Sequence, residues 1–218
     1  MISIKSTRAA SRRISAWLAL AVLLLAGAPQ ALASDEVAAA KASFQKTVDD
    51  TLAILNDKAL SKDERLRKLE NIAVDRFDFP RMTQLVLGKN RSQLSAEQQR
   101  EFEEEFRRSL SLTYGKRLET YTSNEKIEIG EGRLEANKDV TVRTRISGGS
   151  APPDGVRIDY RMRANGDKWL VIDVIPEGVS LIQNFRSQVQ EIVTQKGVSQ
   201  LIPTLHEKNE SRQAARAS

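Results

Sequence analysis

The feature that most constrains this chain is a single change of hydrophobic period near residue 124. Upstream, apolar residues recur every three or four positions, as on a helix with one buried stripe; downstream they alternate, as on half-buried strands. Ser34 to Asn56 reads as a helix carrying Val37, Phe44, Val48, Leu52 and Leu55 inward. Ser61 caps a second helix and Glu64 completes a capping box, with Leu66, Leu69, Ile72 and Ala73 facing the core. Asp78 caps a short third helix with Pro80 in its first turn, and Phe79 to Gly88 is apolar over most of its surface. Ser95, with Gln98 three positions on, caps the longest helix. Phe102, Phe106, Leu110, Tyr114, Leu118 and Tyr121 follow on one stripe, and charges fill the other face. Gly115 sits inside that helix at a cost of about 1 kcal/mol relative to alanine, either to admit a close neighbour or as a tolerated residue.

Four strands follow. Ile127 and Ile129 mark the first; Val140, Val142, Thr144 and Ile146 the second; Val156, Ile158, Tyr160 and Met162 the third. The turns between them are polar and rich in Gly or Pro, and Asn165-Gly166-Asp167 is a tight hairpin signal. The fourth strand, Trp169 to Ile175, is apolar on both faces and must be covered on both. Within it Asp173 is in phase with Trp169, Val171 and Ile175. A helix from about Val179 to Gln195, a turn at Lys196-Gly197 and a last helix to about Lys208 complete the pattern. Residues 209–218 read as a loose polar tail. Helices packed over a curved, mainly antiparallel four-stranded sheet make an α+β domain, expected to span residues 34–208.

The first 33 residues stand apart. They hold four bases, Lys5, Arg8, Arg12 and Arg13, and no acid. An apolar run from Ile14 to Ala28 follows, then Pro29 and the small-x-small pattern Ala31-Leu32-Ala33. This is the pattern of a secretory signal cleaved after Ala33, and the run is too short for the roughly 20 apolar residues that span a bilayer. The whole chain has 34 Lys plus Arg against 29 Asp plus Glu; setting the leader aside leaves 30 against 29. So nearly balanced a chain has no global field to hold polyphosphate, and nucleic acid is not an expected partner. With no cysteine there is no disulfide framework, thiol nucleophile, Cys-based metal site or lipoprotein anchor.

Site chemistries fail one after another. The single histidine, His206, lies among Thr204, Leu205, Glu207 and Lys208, the look of a solvated helix end. One His and no Cys leave no metal-ligand set and no EF-hand spacing, and no Gly-rich loop precedes a helix. Asp159 belongs to the polar sheet face between Arg157 and Arg161; Asp173 reads as a lone, half-buried carboxylate bonded to a nearby loop. Neither has an identifiable catalytic partner, so no cofactor, metal or catalytic residue is expected. The polar sheet face gathers Arg143, Arg145, Arg157, Arg161 and Arg163. It is either a solvated face balanced by acids or a docking patch for anionic headgroups or an acidic partner. There is also a surplus of apolar surface on the third helix, the fourth strand and the Tyr114–Leu118–Tyr121 stripe. Either it closes as a solid core, or it lines an apolar cavity with tyrosines at the mouth, suited to a lipid-like ligand.

Three blocks of the sequence resemble a known family. They are Leu94 to Phe102, running on to Phe106-Arg107 and Thr113-Tyr114-Gly115; Trp169 to Ile182, continuing through Asn184-Phe185-Arg186-Ser187; and Lys196 to Ile202. In order and spacing they are similar to the soluble periplasmic phospholipid-binding component of the Mla (maintenance of lipid asymmetry) system, the toluene-tolerance auxiliary family. The resemblance covers about residues 40 to 208.

It implies a nuclear-transport-factor-like α+β fold enclosing acyl chains. The implied activity is that of a periplasmic carrier moving phospholipid between an outer-membrane lipoprotein complex and an inner-membrane ABC transporter with a lipid-binding ring protein, through transient membrane-proximal contacts. By motif, Tyr114 would lie near the pocket mouth, Val179 and Ser180 beside the ligand, and Arg100 at the mouth or an interface. Apolar phase adds Phe79, Met82, Leu85, Leu118, Tyr121, Val156 and Val171 as lining, and Arg143, Arg145, Arg157 and Arg161 as a docking face. The sequence departs from the family pattern at Ile172, where an aromatic is frequent, and at Phe185, where tyrosine is common; both keep the site apolar. Two other functions remain open to the residues: a solid-core protein adaptor, and an isomerase-type enzyme on the same cone fold with Asp173 as base.

Overall fold

Hydrogen bonds local to each helix start explain most of the helical half. The computed structural model describes the backbone of residues 28–119 and 121–217, and the side chains of residues 34–115 and 121–215. The expected export signal, residues 1–33, lies outside the described residues apart from the backbone of 28–33. That short stretch is already helical, so α1 (Ala28–Asn56) starts ahead of Ser34. α2 (Lys62–Arg76) opens on the expected capping box: Glu64 N–H donates to Ser61 Oγ at 3.3 Å, and Ser61 N–H to the Glu64 carboxylate at 3.0 Å. α3 (Phe79–Leu87) is capped by Asp78, which accepts from Arg81 N–H at 2.9 Å, and Pro80 lies in its first turn. A 3-10 segment, Gly88–Gln93, leads to α4 (Ala96–Glu119), where Ser95 and Gln98 exchange reciprocal bonds of 3.1 and 2.9 Å.

The strands are β1 (Glu125–Leu134), β2 (Val140–Gly148), β3 (Val156–Asn165) and β4 (Lys168–Pro176), antiparallel in the order β1-β2-β3-β4. Directly opposed residues share a face, so the register sets Ile127, Ile146 and Val156 in one apolar row and Val142, Tyr160 and Val174 in another. α1 lies across this face. A bulge in the β3–β4 pairing puts Val171 opposite Met162 but Asp173 opposite Arg161, with Ile172 as the extra residue. Neighbouring residues point to opposite faces, so Asp173 is on the polar face and out of phase with Val171, contrary to the expectation from alternation. Val171, Ile172 and Asp173 are consequently all buried, which bears out a fourth strand covered on both sides.

After α5 (Leu181–Lys196) and a short 3-10 turn, α6 runs from Leu201 to Ala217. The expected loose tail from residue 209 is thus helical to Ala217. The reason is long-range: Asn209 is fully buried, accepts from Ser109 Oγ at 2.6 Å and donates to the Glu105 carbonyl at 2.9 Å, while Arg108 pairs with Glu210 and Gln213. His206, exposed as expected, joins the same seam through Glu105 at 2.6 Å.

Among the described residues, most of the apolar interior falls into two clusters. One belongs to the helices: Phe79, Met82 and Val86 of α3, Phe102 and Phe106 of α4, and the inner faces of α5 and α6. The other joins Ala40, Phe44 and Val48 of α1 to Val140, Val142, Met162 and Val171 of the sheet, with Phe44 and Tyr160 rings 4.4 Å apart. Phe77, between α2 and α3, packs against both. Substitutions in separate clusters should therefore not interact. Phe44→Ala and Phe106→Ala should each cost about 3–5 kcal/mol, and the double variant should equal their sum within about 0.5 kcal/mol. Chemical denaturation measures this, and a larger coupling would mean one continuous core.

Candidate functional site

β4 is where the two clusters meet. The backbone at Phe77 forms a parallel bridge with Val171, and Asp78 N–H donates to the Val171 carbonyl at 2.9 Å. The residue that caps α3 is therefore hydrogen-bonded to the sheet. Phe77 and Phe79 rings stack at 5.8 Å, and the Arg107 guanidinium of α4 lies 5.0 Å above Phe79, a cation–π contact closing that side. Phe77 was absent from the sequence expectations, yet it carries a signal: an apolar residue immediately before a capping Asp is the hydrophobic-staple position.

Two residues further along β4, Asp173 ties down α5. Its carboxylate accepts from Ser180 Oγ at 2.6 Å and from Ile182 N–H at 3.2 Å, with Arg161 at 3.8 Å. Ser180 Oγ in turn accepts from Gln183 N–H at 3.0 Å as the α5 cap. This is the expected lone carboxylate bonded to a nearby loop. Burial pushes its carboxyl above the usual range, against the Ser180 hydroxyl, the Ile182 N–H and the Arg161 charge, which act to lower it. The turn that connects this latch to β4 contains two successive residues with positive φ, Glu177 at 49° and Gly178 at 82°.

The expected lining residues are placed as follows. Met82 is fully buried and Phe79 nearly so in the helical cluster, with Leu85 half-buried against it; Val171 is buried in the sheet cluster. Phe77, which packs against both clusters, lies between them. Val156 is half-buried at the far end of the apolar sheet face, beside Ile146. Tyr114 is half-buried on α4, one turn beyond the last of its residues in the helical cluster, Leu110. Tyr121 is half-buried after α4, the Leu118 side chain lies outside those described, and Gly115 is buried. Val179 is 55% exposed, an unusual position for a valine at a helix start.

Close to Tyr121, Glu125 fastens the loop before β1 to the β2–β3 turn. Its carboxylate accepts from Thr122 N–H at 3.0 Å and Ser150 N–H at 3.1 Å, and from both hydroxyls. Partial burial alone would raise its pKa; the Ser150 and Thr122 backbone donors hold it down to about 2.

The proposed docking arginines separate into two places. Arg100 is exposed on α4. Arg143, Arg145, Arg157 and Arg161 share the outer sheet face, where acids attend most of them: Arg143–Glu131 at 4.0 Å, Arg157–Asp159 at 3.7 Å, Arg161–Asp173 at 3.8 Å. Arg145 donates to the Asp154 carbonyl at 2.5 Å and lies directly opposite Arg157. Among the described residues no group of three or more side chains could hold a metal ion, and no helix is long and apolar enough to cross a membrane.

Two predictions follow from the latches. Asp173→Ala should cost about 2–3 kcal/mol, because the buried Ile182 N–H loses its partner, whereas Asp173→Asn keeps an acceptor there and should cost under about 1 kcal/mol. Equal losses in equilibrium unfolding would refute the latch. The folded-state pKa of Glu125 lies below its unfolded value of 4.5, so its contribution is fully present above that pH and is lost as pH falls toward about 2. Amide exchange at Thr122 and Ser150 should accelerate across that window, and in Glu125→Gln it should be fast at every pH. A Glu125 carboxyl that titrates near 4.5 would sink this account.

Comparisons with known proteins agree with this arrangement. Residues 45–207 match the family model described as MlaC protein. The chain is 29% identical over 103 residues to the toluene tolerance protein ttg2D of Pseudomonas putida, covering 46% of each. It is 27% identical over 124 residues to the intermembrane phospholipid transport system binding protein MlaC of Haemophilus influenzae, covering 56% of this chain and 58% of that one. The matched segments thus span about half the length of these curated relatives. The structure superposes on the phospholipid-binding protein from Ralstonia solanacearum, solved in complex with a phospholipid, with a TM-score of 0.71 and 28% identity, covering 80% of this chain and 98% of that one. The family match, covering the helical cluster, most of the sheet cluster and the β4 latches between them, means that the chain belongs to the MlaC protein family.

Proposed function

We propose that this protein is a periplasmic phospholipid carrier that holds acyl chains between the helical bundle and the sheet. The observation that carries the reading is the two-cluster interior. Helices and sheet are fastened at β4 by backbone and carboxylate hydrogen bonds, while the side chains on either side of Phe77 meet by packing. Acyl chains entering there replace apolar contacts with apolar contacts and break no hydrogen bond. The phospholipid-bound relative from Ralstonia solanacearum, nearly all of which this chain covers, supports the ligand class. In this reading Phe79, Met82, Leu85 and Val171 line the seam, with Leu118 and Val156 further along. Tyr114 and Tyr121 stand at the mouth, and Val179 and Ser180 lie where α5 leaves β4.

Burial of a methylene stabilises by about 0.8 kcal/mol, so a 16-carbon chain gains at most about 12 kcal/mol, less the side-chain contacts it displaces. Two chains approach the affinity ceiling of about 18–21 kcal/mol. Release into water is then very slow, and transfer needs a docked acceptor that offers a competing apolar path. The name of the Haemophilus influenzae relative supports a place in transport between membranes. We assign the exchange to an outer-membrane lipoprotein complex on one side and an inner-membrane ABC transporter with a lipid-binding ring on the other. Arg100 and the sheet-face arginines Arg143, Arg145, Arg157 and Arg161 are the candidate contacts. Export follows from cleavage after Ala33, with no cofactor required.

Native mass spectrometry of the exported protein, purified without detergent, should show a mass beginning at Ser34 plus a ligand that extracts as diacyl phospholipid. Met82→Trp, which fills the seam, should lower the bound fraction several-fold while the fold is kept by circular dichroism. A bare polypeptide mass, with nothing extracted, would remove the carrier reading.

A further inference from the structure

We infer that the groove between the Gly88–Gln93 segment and the outward face of α5 is a binding site for a phosphate-type oxyanion, separate from the apolar seam. The groove has a volume of about 380 Å³ and is lined by Lys89, Asn90, Gln183, Arg186, Ser187 and Gln190 over a floor of Leu87. Along α5 the four lining residues fall at spacings of three, one and three. They form a polar stripe opposite the buried Ile182, Phe185, Val189 and Ile192. No carboxylate lines the groove, and among the described residues neither Lys89 nor Arg186 has an ionic partner. This contrasts with the sheet face, where acids attend most of the arginines.

Two further features belong to a prepared site rather than to stray surface charge. Asn90 is 4% exposed; its Oδ1 accepts from Gln93 Nε2 at 3.3 Å, which fixes the amide of a residue that lines the groove. Gly88 has φ of 52°, and a Cβ added there would come within 3.1–3.2 Å of the Arg186 guanidinium. The glycine thus gives the backbone a conformation that side chains disfavour and makes room for the guanidinium against it. The resulting donor set is a guanidinium fork, an ammonium, a buried amide and the Ser187 hydroxyl. It suits an anion with three or four acceptor oxygens better than a carboxylate with two. The larger neighbouring groove shares Lys89, but its Arg91 Nε is already engaged by Gln99 at 2.9 Å.

The same chemistry could be borne by a phospholipid headgroup or by free phosphate. The intact ¹⁵N-labelled protein is titrated with inorganic phosphate, against chloride at equal ionic strength, while the Arg186 Nε–H and the amides of residues 88–90 and 183–190 are followed by NMR. Saturable shifts confined to those residues are expected. Lys89→Gln and Arg186→Gln should each weaken binding about tenfold, and Arg186→Lys, which keeps the charge but loses the fork, should recover only part. A flotation assay with phosphatidylglycerol and phosphatidylcholine vesicles separates the sources. Phosphatidylglycerol binding that needs Lys89 and Arg186 and is competed by phosphate assigns a headgroup. Phosphate binding without such flotation assigns the free ion. Shifts that do not saturate, that spread to Arg143 and Arg145, or that survive both Gln variants overturn the site. Phospholipid content of the same samples, unchanged in all variants, keeps this test apart from that of the carrier.

Discussion

β4 is the edge strand of an open sheet, and its central residues Val171, Ile172 and Asp173 are all buried. An uncovered edge of this kind is a template for pairing with other chains, so the remaining elements must be arranged to cover it. They do so through directed bonds. The Phe77 bridge and the Asp78 N–H continue the ladder with one more backbone segment, and that segment caps α3. The Asp173 carboxylate reaches across to the first turn of α5, where negative charge is favoured by the helix dipole. The bulge at Ile172 makes both possible, because it turns Val171 toward one layer and Asp173 toward the other.

Because the helices hang from β4 by hydrogen bonds, the apolar clusters on either side need not be one continuous core. Folded domains ordinarily reach crystal-like packing throughout, and separating well-packed layers is then costly. Here, among the described residues, the layers share Phe77 alone as a residue packed against both clusters. The seam also contains Met82, whose unbranched, polarizable side chain adapts to changed surroundings. In the proposed carrier, admitting and surrendering a long apolar ligand needs a fixed frame and a yielding filling. The latches at Asp78 and Asp173 supply the first and the seam the second.

What was legible in the sequence is what local physics decides. The period change at residue 124, the caps at Ser61, Asp78 and Ser95, and all four strands depend on side chains within a few positions of one another. Three features depend on partners far along the chain. α6 continues past Lys208 because Asn209 is satisfied by Ser109 and Glu105 on α4, about one hundred residues away. The bulge at Ile172 has no local signature, and one extra residue reverses the face of everything after it. The seam itself is a relation between clusters, so Phe79, Met82 and Val171 could be chosen from apolar phase, but Phe77, which joins them, could not. Function was carried by the resemblance of three motif blocks, since no composition or spacing distinguishes an apolar cavity from a solid core.

The distribution of charge bears on how the protein meets its surroundings. Beyond residue 33 the chain is almost neutral, so long-range attraction to an anionic membrane is weak, and recognition has to be local. On the sheet face the arginines are spread among acids, and exposed pairs of this kind contribute little and are screened by salt. Such a face attracts a partner only at short range. Around Gly88–Gln93 and α5 the balance differs: cations stand without acids, one of them seated against a glycine and beside a nearly buried amide. A small excess of positive charge thus has its strongest effect where the backbone has been shaped to present it, not where arginines are most numerous.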